Sequence, residues 1–293
     1  MTQKVLVLGA SGQLGRELQR TQPSSVECVP MTRAQLDIGD PRAVAECLQR
    51  LAPQRVINAA AYTAVDKAES ESAAAHRGNA EGPGVLASAC ARQGSRLIHI
   101  STDFVFDGAA SQPYLPEADT APLGEYGRSK REGERAVLSA LPEALILRTG
   151  WVYSSFGGNF VKTMLRLMGE RDELGVVADQ VGTPTWAHGL AEAIWAAAVR
   201  PQLQGFYHWS DAGVCSWYDF AVAIYEEALA LGLLAKPVKI RPIASAEYPT
   251  PAQRPAYSVL DKTSSWRDFA VEGVHWRGQL RAMLIDYKEL ADA

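Results

Sequence analysis

The sequence predicts an α/β fold: a doubly wound parallel sheet with a smaller, discontinuous C-terminal lobe. Three observations carry that prediction. Short apolar runs alternate with helical segments through the first half of the chain; the first apolar run ends in a glycine-rich turn; and past Tyr153 the alternation gives way to longer apolar helices and Pro-rich stretches. Strands that alternate with helices need right-handed crossovers, which set the strands parallel and cover both faces of the sheet.

In chain order, KVLVLGA (4–10) is a β-branched and Leu-rich strand, and QLGRELQRT (13–21) has helical character. SVECVPM (25–31) reads as the second strand, PRAVAECLQRLA (41–52) as a helix and RVINAAA (55–61) as a buried strand. The pattern continues with a helix over 82–94, a strand RLIHIST (96–102), a helix over 127–141 and a strand ALILRTGWVY (144–153). Residues 1–153 are therefore expected to form one domain and 154–293 mostly a second lobe, with a segment around 175–200 returning to the first. In that second part, helices are expected over 159–172, 189–199 and 217–234, and RPIASAEYPTPAQRPAY (241–257) as an ordered, extended stretch with little regular structure.

A chain of 293 residues with 47% hydrophobic composition can bury a sizeable core. Its net charge of −4, without a clustered basic tract, offers no general attraction to nucleic acid or acidic membranes. Cys28, Cys47, Cys90 and Cys215 are scattered, without the paired spacing of a zinc site or a redox dithiol. Reduced thiols and the lack of a visible targeting segment suit the cytoplasm. The five histidines show no metal-ligand or triad spacing.

GASGQLG places Gly9, Gly12 and Gly15 in a G-x-x-G-x-x-G array between the first strand and its helix, the Rossmann-type arrangement. Glycines there allow a tight turn, close approach of backbone N–H groups to a pyrophosphate, and close packing of helix on sheet. The acidic residue that commonly holds an adenosine ribose is absent from PMTR (30–33), where Arg33 offers a guanidinium suited to the 2′-phosphate of NADPH or to an ordinary loop position. Ala59, Ala60 and Ala61 end the third strand with side chains small enough for backbone to lie along a cofactor. HISTDFVFDG (99–108) ends a strand in hydroxyl and carboxylate groups, and Tyr126 and Lys130 lie four apart at the next helix start, where both reach a common point.

The glycine array, the strand-end Thr102 and Y-x-x-x-K together resemble the extended short-chain dehydrogenase/reductase family. Six blocks, NAAAYTAVDKAES (58–70), STDFVFDG (101–108), LRTGWVY (147–153), GNFVKTML (158–165), DQVGTPT (179–185) and YPTPAQRP (248–255), are similar to its dTDP-4-dehydrorhamnose reductases. That resemblance implies reduction of a 4-keto dTDP-sugar by NADPH, with NADH admissible, and a cytoplasmic enzyme that forms a homodimer in some relatives. It implies catalytic roles for Thr102, Tyr126 and Lys130: Tyr126 as the acid that protonates the developing alkoxide, Lys130 as the cation favouring the ionised phenol, and Thr102 as a hydrogen-bond donor to the ketone oxygen. It places Ser11, Gly12, Gln13 and Leu14 on the pyrophosphate turn, Asp37 and Ile38 beside the adenine, and Ala59 to Ala61 with Thr63 along the cofactor. Asp103 and Trp151 are implied at the sugar, and Arg254 in TPAQRP fits a nucleotide phosphate or, equally, a surface position or structural cap.

Some reductases of this kind use a magnesium-linked dimer, and Glu17 matches one ligand position. His188 stands where a second glutamate is expected, and imidazole is a poor replacement for a hard oxygen ligand. No metal is therefore expected, and Glu17 reads as a solvated helix residue. Three other readings share the family resemblance. Nucleotide-sugar dehydratases carry Thr-Asp-Glu at the strand end, where this chain has Phe104, so the base for elimination is missing. Another nucleotide-sugar 4-reductase, or a non-catalytic NADP-binding regulatory subunit of the methionine adenosyltransferase type, remains open.

Overall fold

The computed structural model describes residues 3–292. Val5, Leu6, Val7 and Leu8 are all buried, as expected of a parallel strand covered on both faces. They belong to β1 (Gln3–Leu8), an inner strand of a six-stranded parallel sheet completed by β2 (Val26–Met31), β3 (Arg55–Asn58), β4 (Arg96–Thr102), β5 (Leu145–Thr149) and an outer strand Gly205–His208. The spatial order is β2, β1, β3, β4, β5 and then the outer strand. Chain direction across the sheet reverses between β1 and β3, so a crevice opens there beyond the strands' carboxyl ends.

The helices are, in order, α1 (Gln13–Arg20), α2 (Pro41–Leu51), α3 (Val65–Ala68), α4 (Ser72–His76), α5 (Gly82–Gln93), α6 (Glu125–Ala140), α7 (Phe160–Glu170), α8 (Ala187–Ala198), α9 (Trp217–Ala230), α10 (Thr263–Phe269) and α11 (Trp276–Asp292). Local chemistry sets their ends. Asp40 caps α2 by accepting from the backbone N–H groups of Arg42 and Ala43, with Pro41 at the first helical position. Gly94 ends α5 in the left-handed region at φ 74°.

One face of the sheet is covered by α1 and α8, packed on each other, and the other by α2, α5 and α6. The segment around 175–200 divides. Its α8 part joins the large layer through Leu190, Ile194 and Trp195, but Glu173–Val177 pairs in parallel with Lys239–Ile243 in the smaller lobe. The return to the large layer also runs further along the chain, through Gly205–His208 and α10. The smaller lobe has its own core, built by Tyr153, Met168, Trp186, Phe220, Ile224, Leu280 and Met283 from α7, α9, α11 and short strand pairs.

The stretch 144–153 is not one strand. β5 stops at Thr149, Trp151 adopts the left-handed region at φ 52°, and Val152–Tyr153 then pairs with Thr185–Trp186. The Pro-rich stretch 241–257 contains the end of a strand and a short 3-10 turn, Ser245–Glu247. Among the described residues, no helix is long and apolar enough to cross a membrane. All four cysteines are free.

Candidate active site

A cleft of about 1240 Å³ runs past the carboxyl ends of β1, β3, β4 and β5, larger than the roughly 300–1,000 Å³ typical of a single small-molecule site. It has room for two ligands side by side. Gly9, Ser11, Gly12, Gln13, Leu14, Gly15, Arg33, Asp37, Ile38, Ala59, Ala60, Ala61, Thr63, Thr102, Asp103, Tyr126, Lys130 and Trp151 all line it.

The glycine turn fits a dinucleotide. Gly9 has φ 80°, and a Cβ there would meet Ala59 and Ala60 backbone at 2.7 Å. A Cβ on Gly15 would overlap the backbone of Gly9 and Ala10. Helix α1 follows with Gly12 as its N-cap and no side-chain cap, so N–H groups of its first turn remain for an anion. Gln13 is tied across the lobes, its Oε1 accepting from Asn159 Nδ2 at 2.9 Å.

Helix α6 presents the Tyr/Lys pair because its neighbours pull it close. Glu69 Oε1 accepts from the Glu125 backbone N–H at 2.8 Å, placing a carboxylate at the helix N-terminus. Gly127 and Gly133 let the helix approach the carbonyls of Phe104 and Asn79, where any Cβ would overlap backbone oxygen. Asn79 Nδ2 also donates to Ser129 Oγ at 3.0 Å. These contacts seat Lys130 in the interior, where its Nζ donates to the Ile100 carbonyl at 2.7 Å. Burial lowers the Lys130 ammonium to about 8, with Glu134 opposing. The Tyr126 ring meets Phe104 edge-on, with centroids 5.6 Å apart.

Burial raises the Tyr126 phenol to about 12; the Thr102 hydroxyl opposes this and the Asp103 carboxylate adds to it. Desolvation dominates, the ammonium is turned to Ile100, and Tyr126 keeps its proton. Beside it, Thr102 Oγ1 donates to Asp103 Oδ1 at 3.0 Å and accepts from the Phe104 N–H at 3.2 Å. Burial pushes the Asp103 carboxyl up to about 6, opposed by the hydroxyls of Ser258 and Thr102. Asp103 Oδ2 has no hydrogen-bond partner. Gly150 makes this crowding possible, since a Cβ there would meet the Asp103 carboxyl at 2.5 Å.

Trp151 forms one wall, and its left-handed backbone turns the indole onto Trp217 from α9, stacked at 3.4 Å between centroids and 3° between planes. Trp217 was not singled out from sequence, and nothing in its local pattern distinguishes it from a core aromatic. At the far end of the cleft, Asp37 pairs with Arg77 at 3.2 Å and with Arg33 at 3.7 Å. Arg77 was likewise missed.

Of the two roles open to Arg254, the structure shows the structural one: its guanidinium donates to both carboxylate oxygens of Asp66, at 3.0 and 2.9 Å, and to Thr250 Oγ1 at 2.6 Å, pinning the Pro-rich segment to α3. One sequence expectation is corrected. Glu17 is not solvated. It is fully buried and accepts from Ser154 Oγ at 2.7 Å, with His188 Nδ1 at 3.2 Å. A buried carboxylate needs such partners, and α8 and the segment after Tyr153 supply them. Among the described residues there is no group of three or more His, Cys, Asp or Glu side chains placed to hold a metal.

The family described as the RmlD substrate binding domain matches residues 3–289, almost the whole described chain. This chain belongs to that family. A dTDP-4-dehydrorhamnose reductase from Burkholderia thailandensis is 44% identical over 284 residues, covering 94% of this chain and 95% of its own. Among solved structures, the dTDP-4-dehydrorhamnose reductase of Bacillus anthracis, in complex with NADP, superposes with a TM-score of 0.92 at 36% identity, over 98% of this chain and 100% of that one. The Clostridium acetobutylicum reductase gives a TM-score of 0.90 at 40% identity, over 99% and 100%. The family match thus runs from the first strand into the last helix and includes every residue named as lining the cleft.

Proposed function

We propose that this chain reduces the C4 ketone of dTDP-4-dehydro-β-L-rhamnose to dTDP-β-L-rhamnose in dTDP-rhamnose biosynthesis, using NADPH, with NADH also accepted. The supporting observation is full-length identity of 44% to a reductase of that name, joined to a cleft that gathers Thr102, Tyr126 and Lys130 beside the glycine turn. The bound nicotinamide supplies the hydride. The protein supplies the proton and the geometry: Tyr126, kept protonated by burial, donates to the ketone oxygen as negative charge develops there. Thr102 Oγ1 turns from Asp103 to the same oxygen, and Lys130, one helical turn on and held at the Ile100 carbonyl, supplies positive charge to the cleft as the phenol loses its proton. Trp151 walls the sugar site, and Gly9 to Leu14 and Ala59 to Thr63 hold the dinucleotide. A homodimer and a cytoplasmic location, which suits four free thiols, belong to the same reading.

The test is NADPH oxidation with dTDP-4-dehydro-β-L-rhamnose, with the product identified by NMR. Stoichiometric cofactor consumption and dTDP-β-L-rhamnose are expected. Turnover without net cofactor consumption would point to an epimerase or dehydratase. NADPH binding without turnover of any 4-keto sugar would favour the regulatory-subunit reading.

A further inference from the structure

The adenosine end of the cleft holds a charge arrangement assembled from two distant segments. Arg77 opens a π-helical turn, Arg77–Glu81, of the kind that concentrates at functional sites. Its Nη2 lies 3.2 Å from Asp37 Oδ2, and Arg33 Nη2 reaches the same oxygen from the loop after β2 at 3.7 Å. All three side chains line the cleft. Gly39 leaves the room for this, since a Cβ there would meet Arg77 Nε at 3.0 Å.

Two guanidiniums share one carboxylate, so the cluster carries one net positive charge. The Arg33, Arg77 and Asp37 side chains are 80%, 56% and 36% exposed, and ion pairs that wet are weak. Both arginines are therefore free to turn to a stronger partner. A phosphate monoester is such a partner: it brings up to two charges and three acceptor oxygens, in the geometry a guanidinium fork matches. A ribose diol is a poorer one, because the carboxylate at hand, Asp37, is already shared by the two guanidiniums.

We propose that Arg77 and Arg33 together clamp the 2′-phosphate of NADP(H), with Asp37 as the internal counter-ion that holds both guanidiniums at the cleft, and that this pair sets a preference for NADPH over NADH. The inference rests on the reading that the cleft binds a nicotinamide dinucleotide, and adds the residue that discriminates between the two.

Calorimetric titration with 2′,5′-ADP and with 5′-ADP isolates the clamp from sugar reduction, because neither probe carries a nicotinamide. Arg77→Ala should weaken 2′,5′-ADP roughly tenfold, the worth of one charge-assisted hydrogen bond, and change 5′-ADP less than about twofold. Arg77→Lys, which keeps the charge but loses the fork, should fall between, and Arg33→Ala with Arg77→Ala should bring the two probes to similar affinity. Circular dichroism and thermal unfolding confirm that each variant is folded; if Arg77→Ala is not, Arg77→Lys carries the test. Equal weakening of both probes would assign Arg77 to the adenine or to the shape of the cleft and overturn the clamp, as would no weakening of either. Intact discrimination between the probes in a protein that reduces no 4-keto sugar would leave the clamp standing and overturn the reductase reading.

Discussion

At the catalytic end of the cleft, Thr102, Asp103 and Lys130 are buried, and Lys130 is fixed by a strand carbonyl. At the adenosine end, Arg33 and Arg77 lie exposed and share one carboxylate over distances of 3.2 and 3.7 Å. The first arrangement stores strong, desolvated interactions in fixed geometry; the second keeps mobile charge in water. The difference follows from what each end does. A proton must be delivered at one atom, so position matters and the interior supplies it. A charged group on a flexible ligand must be attracted, and exposed charge does that at little cost to folding.

Breaking the catalytic end should therefore give the largest effect. Tyr126→Phe removes the acid and leaves the ring against Phe104, so kcat should fall by roughly 10²- to 10⁴-fold, the usual worth of general acid catalysis, with 2′,5′-ADP affinity unchanged. Lys130→Met should reduce turnover and also weaken cofactor binding, because it keeps the side-chain volume but removes the ammonium that lines the cleft at the Ile100 carbonyl. The two serve one step, so the double variant should lose much less than the product of the single losses. Near-wild-type turnover by Tyr126→Phe, when chemistry limits the rate, would remove the catalytic assignment.

How much of this contrast was legible in the sequence depends on how local each part is. The glycine turn is set by neighbours in the chain and is legible in its spacing, whereas the four-residue spacing of Tyr126 and Lys130 equally fits a polar helix face, and only the resemblance to the reductase family gives that pair a role. Strand RLIHIST was bounded correctly at 96–102 because apolar residues run up to a polar end. The partners were not legible. Arg77 meets Asp37 across 40 positions, and Trp217 meets Trp151 only because a left-handed residue turns the chain. Glu17 looked solvated because a lone glutamate in a polar helix usually is; its partners Ser154 and His188 lie 137 and 171 positions away. The outer strand Gly205–His208 is only four residues long, too short for alternation to declare it. Helix α11 was passed over although Trp276, Leu280, Met283 and Leu284 mark an apolar face at helical spacing.

A second way to sharpen the comparison is the stability cost of the buried carboxylate. The folded protein holds Asp103 at about 6, above the ordinary value of 3.8, so between those values the native state binds the extra proton. Stability contributed by this group is present below pH 3.8 and is lost as pH rises through 6. Asp103→Asn keeps the shape without the charge, and should be more stable than the parent at pH 8 by up to about 3 kcal/mol. The advantage should shrink toward pH 4. Urea unfolding at pH 4.5 and pH 8 measures it, and an equal difference at both would show that charge burial is not the cause. Turnover should fall at the same time, as expected where an active site holds strain that the fold elsewhere offsets.

The smallest effect should come from salt, and it should separate the two ends without any substitution. Raising ionic strength from 0.01 to 0.15 M shortens the screening length from about 30 to about 8 Å. Charges exposed as fully as Arg33 and Arg77 feel that change, whereas Lys130 and Asp103, enclosed by protein, feel little of it. The KM for NADPH should therefore rise by about severalfold over this range, the scale of an exposed charge interaction. The KM for NADH, which lacks the 2′-phosphate, should stay nearly constant, and so should kcat with either cofactor. A parallel rise in both KM values would place the salt-sensitive contact on the shared pyrophosphate, at the glycine turn, and would take the electrostatic contrast away from the adenosine end.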